Sequence, residues 1–294
     1  MEGDGIGGAG RIPTTQPAPA EKLPAWSFDD EASAAAFATH FDPAFGRRFA
    51  ERALDALVVV RGSRVLEVAC GTGMFSRLAA RVVGPQGRVV GTDASEPALA
   101  VARRVDITGA VDWRQWNGGR LPFDDETFDV VACQHAIARF EDPQPVVAEM
   151  RRVLVPGGRL GITAWGPIEE NPALAAELDA AMKAGLENTG VVDSLLRACS
   201  LNRVEDLLDL VHRAGLSDAS CRTVRTLATL PAVAEWVKVY PSFPPLSAAW
   251  AQCDQQARIQ FLSRAAELLR PFEHRGVLRV QASSRLLVAR TPSG

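Results

Sequence analysis

A glycine-rich turn that follows an acidic residue is the stretch of this sequence best suited to chemistry. In VLEVACGTGMF, residues 65–75, an apolar run carries Glu67 and then passes into a turn with Gly71 and Gly73. Glycines allow a backbone to turn tightly and to approach a ligand closely. A helix that begins after such a turn directs its free N–H groups at the ligand. The stretch therefore predicts a binding site.

Glu67 indicates the charge of the ligand. A carboxylate at this turn would repel a pyrophosphate and attract an ammonium group. The turn would then offer N–H groups to a carboxylate and Glu67 to an amine, which suits an amino acid such as the methionine end of S-adenosylmethionine. The third glycine of a dinucleotide-binding G-x-G-x-x-G is also replaced, by Ser76. Glu67 could instead be only an acceptor for N–H groups of the turn.

Asp93 is the second acid at a strand end. It closes the apolar run RVVGTD, residues 88–93. An acid at this place can accept hydrogen bonds from ribose hydroxyls. Both NAD and S-adenosylmethionine contain such a ribose, so Asp93 does not distinguish between them, whereas Glu67 does. Asp93 could also serve only the start of the next helix.

Alternating strands and helices surround these two acids. Strands are predicted at 64–69, 88–93, 111–116, 128–133, 159–165, 218–229 and 278–290. Helices are predicted at 29–59 and 75–83, after the caps Ser95 and Asp142, and in several segments beyond residue 166. The helix that starts after Asp142 is expected to end at residues 156–158. This alternation predicts an α/β, Rossmann-like, doubly wound and mostly parallel seven-stranded sheet. Ligands of such sheets bind at the carboxyl ends of the strands.

The composition divides the chain into seven segments. They are a disordered tail (1–25), an N-terminal helical cap (26–60), a cofactor-binding core (61–166), a helical lid insertion (167–200), a continuation of the core (201–230), a second helical insertion (231–276) and a final strand with the C-terminus (277–294). Gly, Pro, Ala and Thr dominate the tail, which cannot bury enough apolar surface to become ordered. The apolar stripes of the insertions would serve helix packing or a substrate lid.

Charge and cysteine content narrow the range of partners. The net charge is −3, from 32 basic and 35 acidic residues, so neither a nucleic acid nor a membrane surface is expected as a partner. The five cysteines are scattered and form no C-x-x-C, which favours a cytoplasmic protein with no metal site. No stretch is apolar enough to span a bilayer, and the N-terminus does not resemble a signal peptide. The expected partner is a small molecule, and a homodimer is left open.

Four motifs together resemble a known family. VLEVACGTG, GTDAS, LPFDDETFDVV and MRRVLVPGGRL occur in the order and spacing of class I S-adenosylmethionine-dependent methyltransferases. The sequence is most similar to the type 11 branch, which includes the methyltransferases of ubiquinone and menaquinone biosynthesis. The resemblance covers about residues 37–166. It implies S-adenosyl-L-methionine as cofactor and S-adenosyl-L-homocysteine as product.

The resemblance assigns roles to individual residues. It implies that the cofactor is bound by Glu67, Ala69, Cys70, Gly71, Gly73, Asp93, Ala94, Asn117, Gly118 and Gln134. The first five surround the methionine end, Asp93 faces the ribose, and Ala94 lies beside the adenine. Asn117 departs from the acid that the family usually has, but its amide oxygen can still accept a hydrogen bond from the adenine amine.

Two histidines are candidates for the catalytic group. Methyl transfer to a hydroxyl or an activated carbon requires a proton acceptor. His135 follows the fourth predicted strand and would face both cofactor and substrate, although it could also be structural. His40 lies in residues 37–50, which resemble the family's N-terminal helix that closes over the cofactor. Phe37 and His40 depart there from the aromatic hydroxyls that relatives often have.

Three functions remain open at this point. The first is methyl transfer to an oxygen, or an activated carbon or nitrogen, of a small, partly apolar molecule. The high Ala and Arg content is typical of a GC-rich bacterium and favours a role in secondary metabolism and natural product biosynthesis. The second is a cyclase-like enzyme that uses the sulfonium only as a fixed positive charge. The third is an NAD-dependent oxidoreductase.

Overall fold

The protein is built around one mixed sheet. The computed structural model describes residue 28 and residues 30–293, so the predicted tail at 1–25 lies outside the described residues. The strands are β1 (Arg64–Val68), β2 (Arg88–Asp93), β3 (Val111–Gln115), β4 (Phe128–Gln134), β5 (Leu154–Trp165), β6 (Ser217–Leu230), β7 (Glu273–His274) and β8 (Val277–Arg290). Their order is β3-β2-β1-β4-β5-β8-β6, and β7 pairs with β8.

The predicted doubly wound α/β fold is confirmed. Strands β1 to β5 pair in parallel, and β8 is antiparallel to both β5 and β6. The described residues form eight strands rather than the predicted seven. The additional strand β7 has only two residues and joins β8 through Arg275 and Gly276, which both have positive φ. Two consecutive residues with positive φ form a tight type I′ hairpin turn. This turn lies in the segment that was predicted as the second helical insertion, where no strand was expected.

Helices cover both faces of the sheet. They are α1 (Glu31–Ala36), α2 (Arg47–Ala56), α3 (Met74–Val83), α4 (Glu96–Val105), α5 (Pro143–Arg152), α6 (Pro172–Lys183), α7 (Val191–Ala198), α8 (Val204–Arg213), α9 (Val233–Trp236), α10 (Leu246–Trp250) and α11 (Gln255–Leu269). The two predicted caps are confirmed, since Ser95 accepts from Ala98 N–H and Asp142 from Gln144 N–H. In the described part of the chain, no helix is long and apolar enough to cross a membrane.

The N-terminal helical region is interrupted, whereas the sequence predicted a regular helical pattern over 29–59. Between α1 and α2, residues Phe37–Gly46 form a π-helix that contains Pro43. Proline lacks the N–H group that a regular α-helical turn requires, so a wider turn is accommodated here. Such π-helical turns are frequent at functional sites. We refer to Phe37–Gly46 as the cap helix.

The predicted end of α5 at residues 156–158 is wrong. The helix ends at Arg152, and β5 already begins at Leu154. The pairing of β4 with β5 jumps from Phe128–Leu154 to Val130–Arg159, so the intervening residues bulge out of the sheet. Gly157 supplies the positive φ of 73° within this bulge, which a sequence pattern cannot distinguish from the end of a helix.

Four apolar clusters occur among the described residues, and three of them join the sheet to the surrounding helices and to the later segments. One face of the sheet packs on α5 and α8, and the other face packs on α2 and α3. A third cluster joins the cap helix to the segments that follow β5, including α6, α7 and α11, together with parts of β6 and β8. The predicted insertions therefore pack against the cap over the carboxyl ends of the strands, where a ligand of this fold binds.

Candidate cofactor site and an adjoining cavity

A large cavity lies at the carboxyl ends of β1, β2 and β4. It has about 1050 Å³ of unfilled space, part of which is open to solvent. The cap helix and the turn before α3 complete its walls. Eight of the predicted site residues line it, namely Glu67, Ala69, Cys70, Gly71, Asp93, Ala94, Gln134 and His135. The topology thus brings together residues that are distant in the sequence.

Four predicted site residues are not among the lining residues in the described part of the chain: His40, Gly73, Asn117 and Gly118. Gly73 has φ 77°, and a Cβ there would lie 2.1 Å from the Trp113 ring. This glycine therefore makes room for Trp113, and its predicted role in cofactor binding stays a prediction. His40 is exposed on the cap helix. Asn117 and Gly118 come directly after Trp116, which does line the cavity.

Glu67 is buried at the floor of the cavity. Its Oε2 atom accepts hydrogen bonds from Ser76 N–H at 2.9 Å and from Ser76 Oγ at 2.5 Å. Burial raises the pKa of Glu67 to about 8, against the opposite effect of these two donors. Glu67 thus accepts from the first turn of α3 and also faces the cavity. A cationic group in the cavity would favour its ionised form.

Asp93 ties the glycine turn to the end of β2. Its two carboxylate oxygens accept from Gly71 N–H at 2.6 Å and from Ser95 N–H at 2.9 Å. Burial nevertheless raises the pKa of Asp93 above its ordinary value. Because Asp93 also lines the cavity, the side chain that fixes the turn is available to a ligand's hydroxyl groups.

Sequence reasoning missed two charged residues of the cavity. Asp42 of the cap helix is buried and accepts from Thr72 Oγ1 at 2.6 Å, with the Arg77 guanidinium 3.9 Å away. Burial raises the pKa of Asp42 to about 6. Arg139 lines the cavity beyond β4, and burial lowers its pKa to about 10, so it stays charged at neutral pH. Asp42 is an acid among the phenylalanines of FATHFDPAFG, and this pattern was the available signal that its carboxyl group is buried.

The balance of charge in the cavity favours a ligand with cationic groups. Asp42, Glu67 and Asp93 are its acidic lining residues, and Arg139 is its one arginine among the described residues. Burial disfavours the ionised form of all three carboxyl groups, and an ammonium or sulfonium in the cavity would restore it, whereas a pyrophosphate would oppose it further. Trp116 and Phe140 provide flat apolar walls that suit a nucleobase. The residues present therefore fit S-adenosylmethionine better than NAD.

His135 sits between the cavity and the sheet. Its Nε2 atom is 2.7 Å from Ser284 Oγ, and its ring stacks on Trp165 with 4.2 Å between centroids. Burial, assisted by the positive charge of Arg139, lowers the pKa of His135 to about 3. The imidazole is therefore neutral at physiological pH. Its backbone φ of 53° is uncommon for a residue other than glycine and is typical of functional sites.

A second, smaller cavity adjoins the first. It has about 340 Å³ of unfilled space, part of it open to solvent, between the cap helix, α6, β8 and the segment that follows β6. Six aromatic residues line it: Phe41, Phe45, Trp165, Trp236, Tyr240 and Phe243. Phe41 and Trp165 also line the large cavity, so the two spaces share a wall. We refer to them as the cofactor cavity and the aromatic cavity.

Comparison with known proteins shows which domain the sequence around this site resembles. Residues 66–162 match the family model described as a methyltransferase domain. The chain is 40% identical over 113 residues to a 2-phytyl-1,4-naphtoquinone methyltransferase of Thermosynechococcus vestitus, covering 38% of this chain and 50% of the relative. It is 38% identical over 111 residues to a ubiquinone/menaquinone biosynthesis C-methyltransferase of Pasteurella multocida, covering 36% and 41%. The match thus spans half or less of each relative.

Solved structures show the same fold over most of the chain. Phosphoethanolamine N-methyltransferase 2 of Haemonchus contortus, in complex with S-adenosyl-L-methionine, has a TM-score of 0.54 at 18% identity, covering 89% of this chain and 57% of that one. The [4+2]-cyclase SpnF has a TM-score of 0.51 at 20% identity, covering 85% and 82%. Residues 66–162 thus form a methyltransferase domain whose sequence is similar to the class I, S-adenosylmethionine-dependent enzymes of the type 11 branch. The cofactor of such a domain is S-adenosylmethionine.

Proposed function

We propose that the protein is an S-adenosylmethionine-dependent methyltransferase that transfers a methyl group to a small, partly apolar molecule. The observation that carries the proposal is the acid-rich cofactor cavity at the strand ends, with Glu67 and Asp93 facing it. The accepting atom is an oxygen, or an activated carbon or nitrogen. The five cysteines are all free thiols, which agrees with the reducing conditions of a cytoplasm.

Each part of the cofactor has a complementary group in this cavity. Glu67 would hold the ammonium of the methionine end, and Asp93 would accept from the ribose hydroxyls. The rings of Trp116 and Phe140 line the same cavity and would enclose the adenine. In this arrangement Asn117 and Gly118 belong to the turn after β3 that carries Trp116, and they would act on the cofactor through the position of this turn instead of as part of the cavity wall.

The chemistry requires little beyond alignment. When bound, the cofactor would supply a methyl group on a positively charged sulfur. The acceptor atom would form a bond to this carbon as the carbon–sulfur bond breaks, S-adenosylhomocysteine would leave, and the acceptor's proton would pass to solvent water. The protein must hold the acceptor in line and exclude water. With a pKa of about 3, His135 is too weak a base to hold that proton near neutral pH. We therefore assign it a hydrogen-bonding role beside the acceptor, and the exposed His40 no role in proton transfer.

A cyclase-like reaction is the second candidate. The cyclase SpnF shares the fold, but at 20% identity this similarity concerns the fold alone. A sulfonium that acts only as a fixed charge is not consumed, whereas methyl transfer releases one S-adenosylhomocysteine for each product. The NAD-dependent reaction is disfavoured by the three carboxyl groups of the cofactor cavity.

Release of S-adenosylhomocysteine tests the proposal. The purified protein would be incubated with methyl-labelled S-adenosylmethionine and a panel of aromatic hydroxyl and amino compounds, including reduced naphthoquinones because one relative is named for a naphthoquinone. We expect label in a product and equimolar S-adenosylhomocysteine with at least one compound, and neither with Asp93→Asn. Product that forms without S-adenosylhomocysteine would favour the cyclase-like reaction and contradict methyl transfer.

A further inference from the structure

Glu177 is the one carboxyl group among the described residues that line the aromatic cavity, which is mostly aromatic and apolar and whose other polar lining residues include Asn171 and Gln281. Glu177 on α6 is 2% exposed and lines this cavity with the six aromatic residues. Its Oε1 atom is buried without a hydrogen-bond partner among the described residues. Burial, and then the nearby charge of Glu177, raise the pKa of Tyr240, whose hydroxyl already donates to Ala173 O at 2.9 Å. Glu177 is thus buried without a compensating donor.

Such a group is costly to the folded protein. A buried polar atom is normally hydrogen-bonded, and a carboxylate in apolar surroundings is strongly disfavoured. Burial raises the pKa of Glu177 to about 8 with no donor to oppose it. The other buried positions of α6 include small or apolar residues such as Ala173, Leu174 and Ala180. A glutamate among them is explained if a ligand supplies the missing donor.

The position of the aromatic cavity indicates which ligand that is. Phe41 and Trp165 line both this cavity and the cofactor cavity, so the two spaces adjoin at these side chains, and His135 stacks on the same Trp165 ring. A molecule in this space would lie next to the cofactor, as a methyl acceptor must. The six aromatic side chains favour a flat apolar body, which they can stack on or meet edge-on.

We propose that the aromatic cavity is the acceptor site and that Glu177 binds a hydroxyl or amine hydrogen of an acceptor with an aromatic body. This inference rests on the proposed methyltransferase function and names the substrate class of the same site. A hydroxyl would donate one hydrogen bond to Glu177. An ammonium would also bring a positive charge to the carboxylate and to the aromatic faces.

Three probes of one shape test the proposal. The full-length protein, saturated with S-adenosylhomocysteine, would be titrated with 1-naphthol, 1-naphthylmethylamine and 1-methylnaphthalene, and binding followed by ligand-observed NMR. We expect at least one donor-bearing probe to bind about tenfold more tightly than 1-methylnaphthalene, the ratio expected for one hydrogen bond to a charged or polar buried group. Glu177→Leu should abolish this preference, whereas Glu187→Leu at an exposed site should retain it.

Glu177→Gln distinguishes the two kinds of donor and is a second variant should the leucine protein fail to fold. Glutamine keeps an acceptor oxygen but has no charge, so 1-naphthol should keep its affinity within a few-fold while 1-naphthylmethylamine should lose most of it. An unchanged preference in Glu177→Leu would overturn the proposal, as would no binding of any probe to protein that binds S-adenosylhomocysteine. Protein that fails to bind S-adenosylhomocysteine would instead refute the proposed function itself.

Discussion

His135 is held neutral by its surroundings, and this has consequences for stability. The pKa is about 3 in the folded protein and about 6.5 in an unfolded chain. Below pH 6.5 the unfolded chain therefore binds a proton that the folded protein does not, and stability is lost as the pH falls towards 3. Above pH 6.5 both states are neutral at this residue, so its effect on the pH dependence ends there.

Replacing His135 by asparagine should remove this pH dependence. Asparagine tolerates the positive φ of this position better than most residues. Between pH 7 and pH 5, the free energy of unfolding of the wild type should fall by about 2 kcal/mol more than that of His135→Asn. Urea denaturation at the two pH values measures the difference. A parallel response of both proteins would show that His135 titrates normally in the folded state.

The acids of the cofactor cavity illustrate what a sequence can reveal about single residues. Glu67 and Asp93 were predictable because each stands at the end of an apolar strand, and parallel strands bring such ends together. Asp42 has a weaker signal, an acid among phenylalanines, and its partners Thr72 and Arg77 come from a different segment, so its place in the cavity was missed. Glu177 reads as an ordinary acidic position of an amphipathic helix, and only the packing of α6 on the aromatic cavity shows that it is buried.

At the scale of elements, the turn between β1 and α3 depends on Gly73. Its positive φ costs an alanine about 1 kcal/mol, and the alanine Cβ would also collide with Trp113 at 2.1 Å. Gly109 has a similar φ of 61°, and no atom lies within 4 Å of the position that a Cβ would occupy there. Gly73→Ala should therefore be destabilised by about 1–3 kcal/mol more than Gly109→Ala in chemical denaturation. Equal destabilisation would mean that Trp113 moves aside freely.

The cap helix is joined to the glycine turn by one buried hydrogen bond. Thr72 Oγ1 donates to Asp42 at 2.6 Å, and Thr72 is 1% exposed. Thr72→Val preserves the shape but leaves the buried carboxyl group without this donor, at a cost of about 1–3 kcal/mol. We expect faster amide hydrogen exchange in residues 37–46 and several-fold weaker binding of S-adenosylhomocysteine.

Thr39→Val provides the matched control for the cap helix. Thr39 is exposed on the same helix and donates only to Ala35 O, four residues earlier. Its replacement should leave both the hydrogen exchange of the cap helix and the binding of S-adenosylhomocysteine unchanged. If Thr72→Val behaved like Thr39→Val, the hydrogen bond to Asp42 would not hold the cap in place.

Elements with a strong local signal were predicted well, and those set by distant contacts were not. The strands of the parallel sheet and the caps Ser95 and Asp142 follow from apolar runs and from side-chain hydrogen bonding. The π-helical cap and the bulge at residues 155–158 depend on how neighbouring elements pack, which a single sequence does not record. The two-residue strand β7 is too short to leave a hydrophobic pattern.

For the whole molecule, the central claim is that the cavity at the strand ends binds S-adenosylmethionine. The direct measurement is calorimetric titration of the full-length protein with S-adenosylmethionine, S-adenosylhomocysteine and NAD, repeated with Asp93→Asn and with Asp124→Asn, an exposed control. We predict micromolar binding of both adenosyl sulfur compounds, no heat with NAD, at least about tenfold weaker binding by Asp93→Asn, and unchanged binding by Asp124→Asn. Binding of NAD alone would contradict the roles of Glu67 and Asp93.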